Sequence, residues 1–196
     1  MSEEILGQLE RRRRFEGFAF LIAFGLCIPA ANWLIGNVGT TCIPKGPCLI
    51  PVAPGIMAPS GVLMIGLALV LRDLVQRRLG VWWAVGAILV GAALSGWIAP
   101  AALVLASAVA FLVSELADLA VYTPLQRRGL IKAVFFSSCV GLFVDSVIFL
   151  NLAFGSLEYL GGQVIGKAWM VILAMPLIAL LRKRDEAIGL EGRTGF

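Results

Sequence analysis

The sequence predicts an all-α membrane protein: a bundle of six transmembrane helices with both termini on the cytoplasmic side. Three observations carry that reading. Hydrophobic residues fill 60% of the 196 positions and charged residues only 14%, with a mean hydropathy of +0.94, outside the range of an ordinary soluble domain. Six apolar stretches are each long enough to cross a hydrocarbon core, which takes about 20 helical residues. Basic residues gather at alternate ends of those stretches, the pattern the positive-inside rule gives an even number of spans.

Residues 1–14 form a polar segment ending in Arg11, Arg12, Arg13 and Arg14, and the first span follows at about 15–36. That span is too long, and too poor in cleavage signals, to be a removed signal peptide. The further spans are expected at about 58–75, 81–98, 100–122, 133–154 and 162–181, making 15–182 the transmembrane domain and 183–196 a cytoplasmic tail. Arg72, Arg77 and Arg78, then Arg127, Arg128 and Lys132, then Arg182, Lys183 and Arg184 fall on the side of the first basic cluster. The opposite loops carry only Lys45. The net charge of +4 therefore reads as topology; its short clusters make no broad face for nucleic acid. Trp33 and Trp97 near one interface, and Trp82 and Trp83 near the other, read as interfacial anchors.

Connection 37–57 is the longest. With Pro44, Pro47, Pro51 and Pro54 it is expected to be an irregular lid, which a Cys42–Cys48 disulfide could stiffen in an oxidising compartment. Histidine is absent, which removes the commonest general base and metal ligand. Cys27, Cys42, Cys48 and Cys139 form no CxxC pair, so neither a zinc site nor any other cofactor is expected. No GxxxxGK[ST] motif is present for phosphate binding.

Polar residues inside the spans are the functional signal, because a central Asp or Lys costs roughly 2.5 to 3.5 kcal/mol on insertion scales. Ser107, Phe111, Ser114, Asp118 and Tyr122 recur at helical spacing on the fourth span, with Glu115 beside them. Ser138, Gly141, Asp145 and Phe149 share a face of the fifth, Gln163 and Lys167 lie one turn apart on the sixth, and Pro176 marks a kink there. At about 1.5 Å per residue, Lys167 and Asp145 fall roughly 8 and 14 Å below the outer surface, and Glu115 roughly 22 Å. Asp145 and Lys167 are thus expected to pair or to frame a pocket in the outer half, over a floor or inner gate of Glu115 and Asp118. Asn32 of the first span completes the candidate set. Plainer readings exist. Lys167 and Arg72 could snorkel to opposite interfaces, Asp73 could pair with a nearby arginine, and Asp118 with Arg127 or Arg128. The Asp145–Lys167 pair could be purely structural. Ala19, Ala23, Cys27 and Ala30, and separately Ala87, Gly91 and Ser95, form narrow stripes for close helix packing.

Several stretches resemble one family. They are Ser114-Glu-Leu-Ala-Asp118 with Tyr122 and Arg127-Arg128, and Ser137-Ser-Cys-Val-Gly-Leu-Phe-Val-Asp145-Ser146 with Phe149. Gly166-Lys167 before Pro176 and Arg72-Asp73 before Gly80 complete the ordered set. Together they resemble the vitamin uptake, or queuosine precursor transporter, family. The resemblance implies a six-helix bundle related to the substrate-binding subunits of energy-coupling-factor transporters, set in a bacterial inner membrane. It implies uptake of 7-cyano-7-deazaguanine or 7-aminomethyl-7-deazaguanine, with a deazapurine and the bilayer as partners and no nucleic acid. Such a heterocycle presents adjacent N–H and NH₂ donors that one carboxylate accepts side by side. Asp145 or Glu115 would accept them, Lys167 or Gln163 would donate to the ring carbonyl, and Phe111, Phe149 or Trp169 would stack. A solitary transporter rather than an enzyme is expected. The alternatives are a vitamin-binding subunit docked through Ala19 and Ala23 onto a coupling protein or another copy, a membrane enzyme using Glu115 and Asp118 on a lipid, and a structural subunit.

Overall fold

A computed structural model describes residues 3–44, 46–99 and 103–190. Lys45, residues 100–102 at the head of the expected fourth span, and the tail beyond 190 lie outside the described residues. The chain runs α1 (Glu3–Asn37), β1 (Thr41–Cys42), β2 (Cys48–Ala53), β3 (Ile56–Pro59), α2 (Val62–Leu79), α3 (Val81–Ile98), α4 (Val104–Leu125), α5 (Leu130–Phe154) and α6 (Leu160–Ile188). A single 3₁₀ turn, Gln126–Arg128, leads from α4 into α5.

Five of these helices are long and apolar enough to cross a membrane; α2 is the exception. Its sequence is broken by Arg72, Asp73, Arg77 and Arg78, and its place in the bundle explains how it carries them. α2 packs against all five other helices, while α1 touches α3, α3 touches α4, α4 touches α5 and α5 touches α6 around it. It is the axis of a ring. Arg72, Asp73, Gln76 and Arg78 are all buried, so their charge meets protein, where partners can be supplied, rather than hydrocarbon. The ring helices turn apolar residues outward instead: Phe15, Trp33, Trp82, Trp97, Leu105 and Leu173 are exposed. A chain that is apolar outside and polar at its axis is built for lipid, and it is a multi-pass membrane protein.

Close approach along the axis depends on small residues. A Cβ on Gly66 of α2 would sit 2.5 Å from the backbone oxygen of Lys167 on α6, so only glycine allows this crossing. Gly80, at φ 103°, is the whole connection between α2 and α3, a conformation that other L residues rarely adopt.

Connection 38–61 differs from the expected irregular lid. It is a three-stranded antiparallel sheet in the order β1-β2-β3, with Cys42 and Cys48 opposite one another and joined by a disulfide. Its prolines hid the strands because proline usually breaks ladders, but an irregularity between Pro51 and Ala53 absorbs the missing donor. The sheet also closes the ring where α1 and α6 barely meet. β2 packs on both helices, Ser60 Oγ donates to Leu34 O of α1 (2.7 Å), and Trp169 Nε1 of α6 donates to Val52 O (2.9 Å).

Candidate functional site

Because α2 begins only at Val62, the ring has an open axis at the sheet end, and a cavity lies there. Every helix contributes to its lining: Asn32 from α1, Ile65 from α2, Ser95 from α3, Ser107 and Phe111 from α4, Asp145 and Phe149 from α5, Gln163 and Lys167 from α6. Pro59 of β3 adds the sheet. The space amounts to about 540 Å³ counted out to the mouth, but only about 60 Å³ of it takes the centre of a water molecule. The smaller figure measures the room, and it corresponds to a few waters.

Asp145 and Lys167 form the polar centre. Lys167 Nζ donates to Asp145 Oδ2 (2.6 Å), to Ser146 Oγ (2.8 Å) and to Gln163 Oε1 (2.5 Å), so all three ammonium protons are used. Lys167 therefore does not snorkel: it is 1% exposed. Gln163 spends its carbonyl on Lys167, which leaves its amide nitrogen as the spare donor. Asp145 Oδ1 has only a long bond from Ser114 Oγ (3.4 Å), which also donates to Phe111 O. One face of the carboxylate is anchored and the other retains accepting capacity in the cavity.

A second buried group lies one turn further along α4, from Phe111 to Glu115, and does not line the cavity. Arg72 Nη1 pairs with Asp73 Oδ1 (2.7 Å), Nε donates to Glu115 Oε2 (3.2 Å), and Nη2 donates to Asp118 Oδ1. Nη1 also reaches Gln76 Oε1 (3.3 Å), and Gln76 in turn donates to Thr123 Oγ1 (3.0 Å). Tyr122 lies under the guanidinium, its ring centroid 5.7 Å away. This corrects the reading of Arg72 as an interfacial anchor: at the bundle axis a side chain has no interface within reach. Asp118, expected beside Arg127 or Arg128, pairs with Arg72. Of the sequence candidates, Asn32, Asp145, Phe149, Gln163 and Lys167 meet at the cavity; Glu115 and Asp118 meet at Arg72. Trp169 bonds to the sheet and does not line the cavity.

At the far, basic end, Arg78 of α2 bridges Glu16 of α1 (3.0 Å) and Asp185 of α6 (2.9 Å), and Arg184 joins Glu16 (2.7 Å). The ends of α2 and α6 are tied there to the middle of α1. No local pattern signals this clasp, since Glu16 and Asp185 look like ordinary residues flanking arginine runs. Another hollow, roomier at about 970 Å³ counted out to the mouth, lies on the flank between α1 and α3, but Leu21, Phe24, Trp82, Trp83 and Val90 make its wall apolar. It offers nothing to orient a polar ligand.

A ring of helices with apolar outer faces thus surrounds a narrow cavity with a charged pair at its wall, and ion pairs tie the bundle at the other end. The family comparison is more particular: residues 98–181 match the family described as "Putative vitamin uptake transporter". It is the family that the sequence motifs resemble, and the match supports a membrane transporter for a vitamin-like substrate. The matched region holds Glu115, Asp118, Asp145, Gln163 and Lys167, while Asn32 and Arg72 lie before it. Neither the curated proteins nor the solved structures gave a match to this chain.

Proposed function

We propose that this protein imports a queuosine precursor, 7-cyano-7-deazaguanine or 7-aminomethyl-7-deazaguanine, across a bacterial inner membrane, with both termini in the cytoplasm. The observation that carries the reading is Asp145: a buried carboxylate, fixed on one side by Lys167, with its other oxygen barely engaged at the wall of a cavity. A carboxylate so placed accepts the adjacent N–H and NH₂ groups of a deazaguanine as a pair of charge-assisted bonds. Gln163 supplies a donor for the ring carbonyl, and Phe111 and Phe149 supply faces for stacking. Lys167 acts at one remove, holding Asp145 in place and aimed. The cavity is narrow for a bicyclic ring, so Phe149, which is only half-buried, moves aside on entry. The sheet then forms the outer gate and the Arg78 clasp the inner one.

No cofactor enters this scheme, and the chain is a carrier rather than an enzyme. Ala19 is exposed and Ala23 partly so, and a coupling subunit seated there is the second reading. Uptake of radiolabelled 7-aminomethyl-7-deazaguanine by vesicles containing the purified protein alone tests the proposal. Accumulation that is lost in Asp145→Asn supports it; uptake that appears only with added ATPase partners favours the coupled form, and no uptake of either precursor sinks the substrate assignment.

A further inference from the structure

The Arg72 cluster takes no part in the scheme above, yet it is the most expensive feature of the fold. Asp73, Glu115 and Asp118 face a single guanidinium, and all four side chains are at most 2% exposed. Fully ionised, the cluster would hold two uncompensated negative charges. Among the described residues, Arg72 is the cation paired with these carboxylates. Across α5, Ser137 Oγ donates to Asp73 Oδ2 (2.9 Å), Cys139 lies on the side of Asp118, and Asp145 already has Lys167. From α1 only Cys27 lies toward Glu115, and α3 contains no titratable residue. Arg77 and Arg78 of α2 are engaged with Asp185 of α6. Burying even one unpaired charge costs several kcal/mol, and carboxylates crowded on one site cannot all ionise.

Unpartnered atoms show where the compensation falls. Two carboxylate oxygens of the cluster are buried without a hydrogen bond: Asp73 Oδ1, which is still ion-paired with Arg72 Nη1 (2.7 Å), and Asp118 Oδ2, which has no ion pair either and is packed where a Cβ on Gly141 would come within 3.0 Å. Ser138, one turn before Gly141 on α5, and Tyr122, one turn after Asp118 on α4, each bury a hydroxyl that also lacks a partner. An ionised carboxylate with an idle buried oxygen is costly. A protonated one is a donor, and unpartnered hydroxyls stand one turn away on both helices. A metal ion fits less well, since the carboxylates converge on the guanidinium that fills the cation's place. No group of His, Cys, Asp and Glu among the described residues is arranged to hold a metal.

We propose that Asp118 in the Arg72 cluster is an exchangeable proton-binding site that couples uptake to proton entry. In the closed arrangement Asp118 carries the proton while its Oδ1 still accepts from Arg72; release of that proton to the inner side leaves a second uncompensated charge that drives α4 from α2, and uptake of one proton from the outer side restores the closed cluster. Nothing else is consumed. Glu115 lies one turn from the cavity residue Phe111, close enough for an occupied cavity to bias the step. The proton-binding half stands without the transport reading; the coupling half rests on it.

Infrared spectroscopy of the purified protein in lipid tests the first half without any ligand. A carbonyl band of a protonated carboxylic acid is expected near neutral pH, shifting on deuteration and lost in Asp118→Asn. Its absence from the unmodified protein would overturn the proposal, and the deuteration shift stands even if the variant fails to fold. Vesicles loaded with a pH-sensitive dye test the second half: external 7-aminomethyl-7-deazaguanine should acidify the lumen with the unmodified protein and not with Asp118→Asn. Uptake without acidification, or uptake that needs sodium, would overturn coupling. A band with no uptake would support proton binding and sink the substrate reading instead.

Discussion

The bundle axis holds two buried ionic groups that differ in every respect that matters for function. Asp145 and Lys167 balance in charge and border a cavity, and one carboxylate oxygen is left almost idle. The Arg72 cluster is out of balance and sealed, and its guanidinium draws residues from α2 and α4 onto one point. Both burials oppose folding, because neither repays the full desolvation of its ions. The difference teaches where each can act. A balanced pair at a cavity wall offers directed hydrogen bonds to a ligand without changing its own charge. A sealed, unbalanced cluster offers no room to a ligand and instead governs how two helices separate.

Removing the hub of the sealed cluster should have the largest effect. Arg72→Leu strands three carboxylates in the interior, and the loss is expected at about 3–5 kcal/mol. Thermal melts in detergent should show little folded protein; a melt unchanged from the parent would mean that the cluster is not the axis of stability. Next comes the crossing that positions the cavity pair. Gly66→Ala forces a methyl against the Lys167 backbone, and overpacking of this kind costs about 1–3 kcal/mol. Binding should weaken together with stability, because Lys167 is displaced.

The balanced pair gives a more discriminating test. Asp145→Asn alone leaves Lys167 buried without a counterion, whereas Asp145→Leu with Lys167→Met removes both charges. The double variant should melt closer to the parent than the single one, since replacing both partners of a buried pair is often neutral. Uptake should be absent from both. Recovery of uptake in the double variant would show that the pair is scaffold only. The smallest effect belongs to the surface: Arg182→Ala breaks an exposed bridge to Glu186, with side chains 45% and 61% exposed, and should cost about 0.5 kcal/mol or less. A loss comparable with that of Arg78→Ala, which opens the clasp, would contradict the ranking of buried over exposed pairs.

Hydropathy made the ring legible, because a span is a sum over many residues and tolerates local error. It was less sure about where helices start and stop. The first span, read at 15–36, belongs to a helix that runs from Glu3 straight through Arg11–Arg14, since charge ends a span but not a helix. The second, read at 58–75, is helical from Val62 to Leu79. Its head was strand β3, and its tail was charged residues that look like loop until a ring of neighbours is seen to bury them. The same blindness explains Arg72. Whether a cation near a span end snorkels or turns inward depends on which helices surround it, and no local pattern records that. By contrast, Asp145 and Lys167 were readable as a pair because Asp145 stands too deep for an interface to reach and Lys167 lies close enough in depth to meet it. Phe149 and Gln163 were placed by helical spacing, which also brought Ser107 and Phe111 to the cavity, whereas Asn32 stood alone as a polar residue of the first span. Ser95 and Pro59 came from elements whose contribution only the fold reveals.

The most direct test of this division of labour is ligand-induced stabilisation of the detergent-purified protein, measured in parallel on the parent, Asp145→Asn and Glu115→Gln. A ligand that binds only the folded state raises its stability by about 2.7 kcal/mol at a hundredfold excess over Kd. With 7-cyano- or 7-aminomethyl-7-deazaguanine, the melting temperature of the parent and of Glu115→Gln should rise, and that of Asp145→Asn should not move. A rise that survives Asp145→Asn and disappears in Glu115→Gln would put the ligand at the Arg72 cluster and contradict the account.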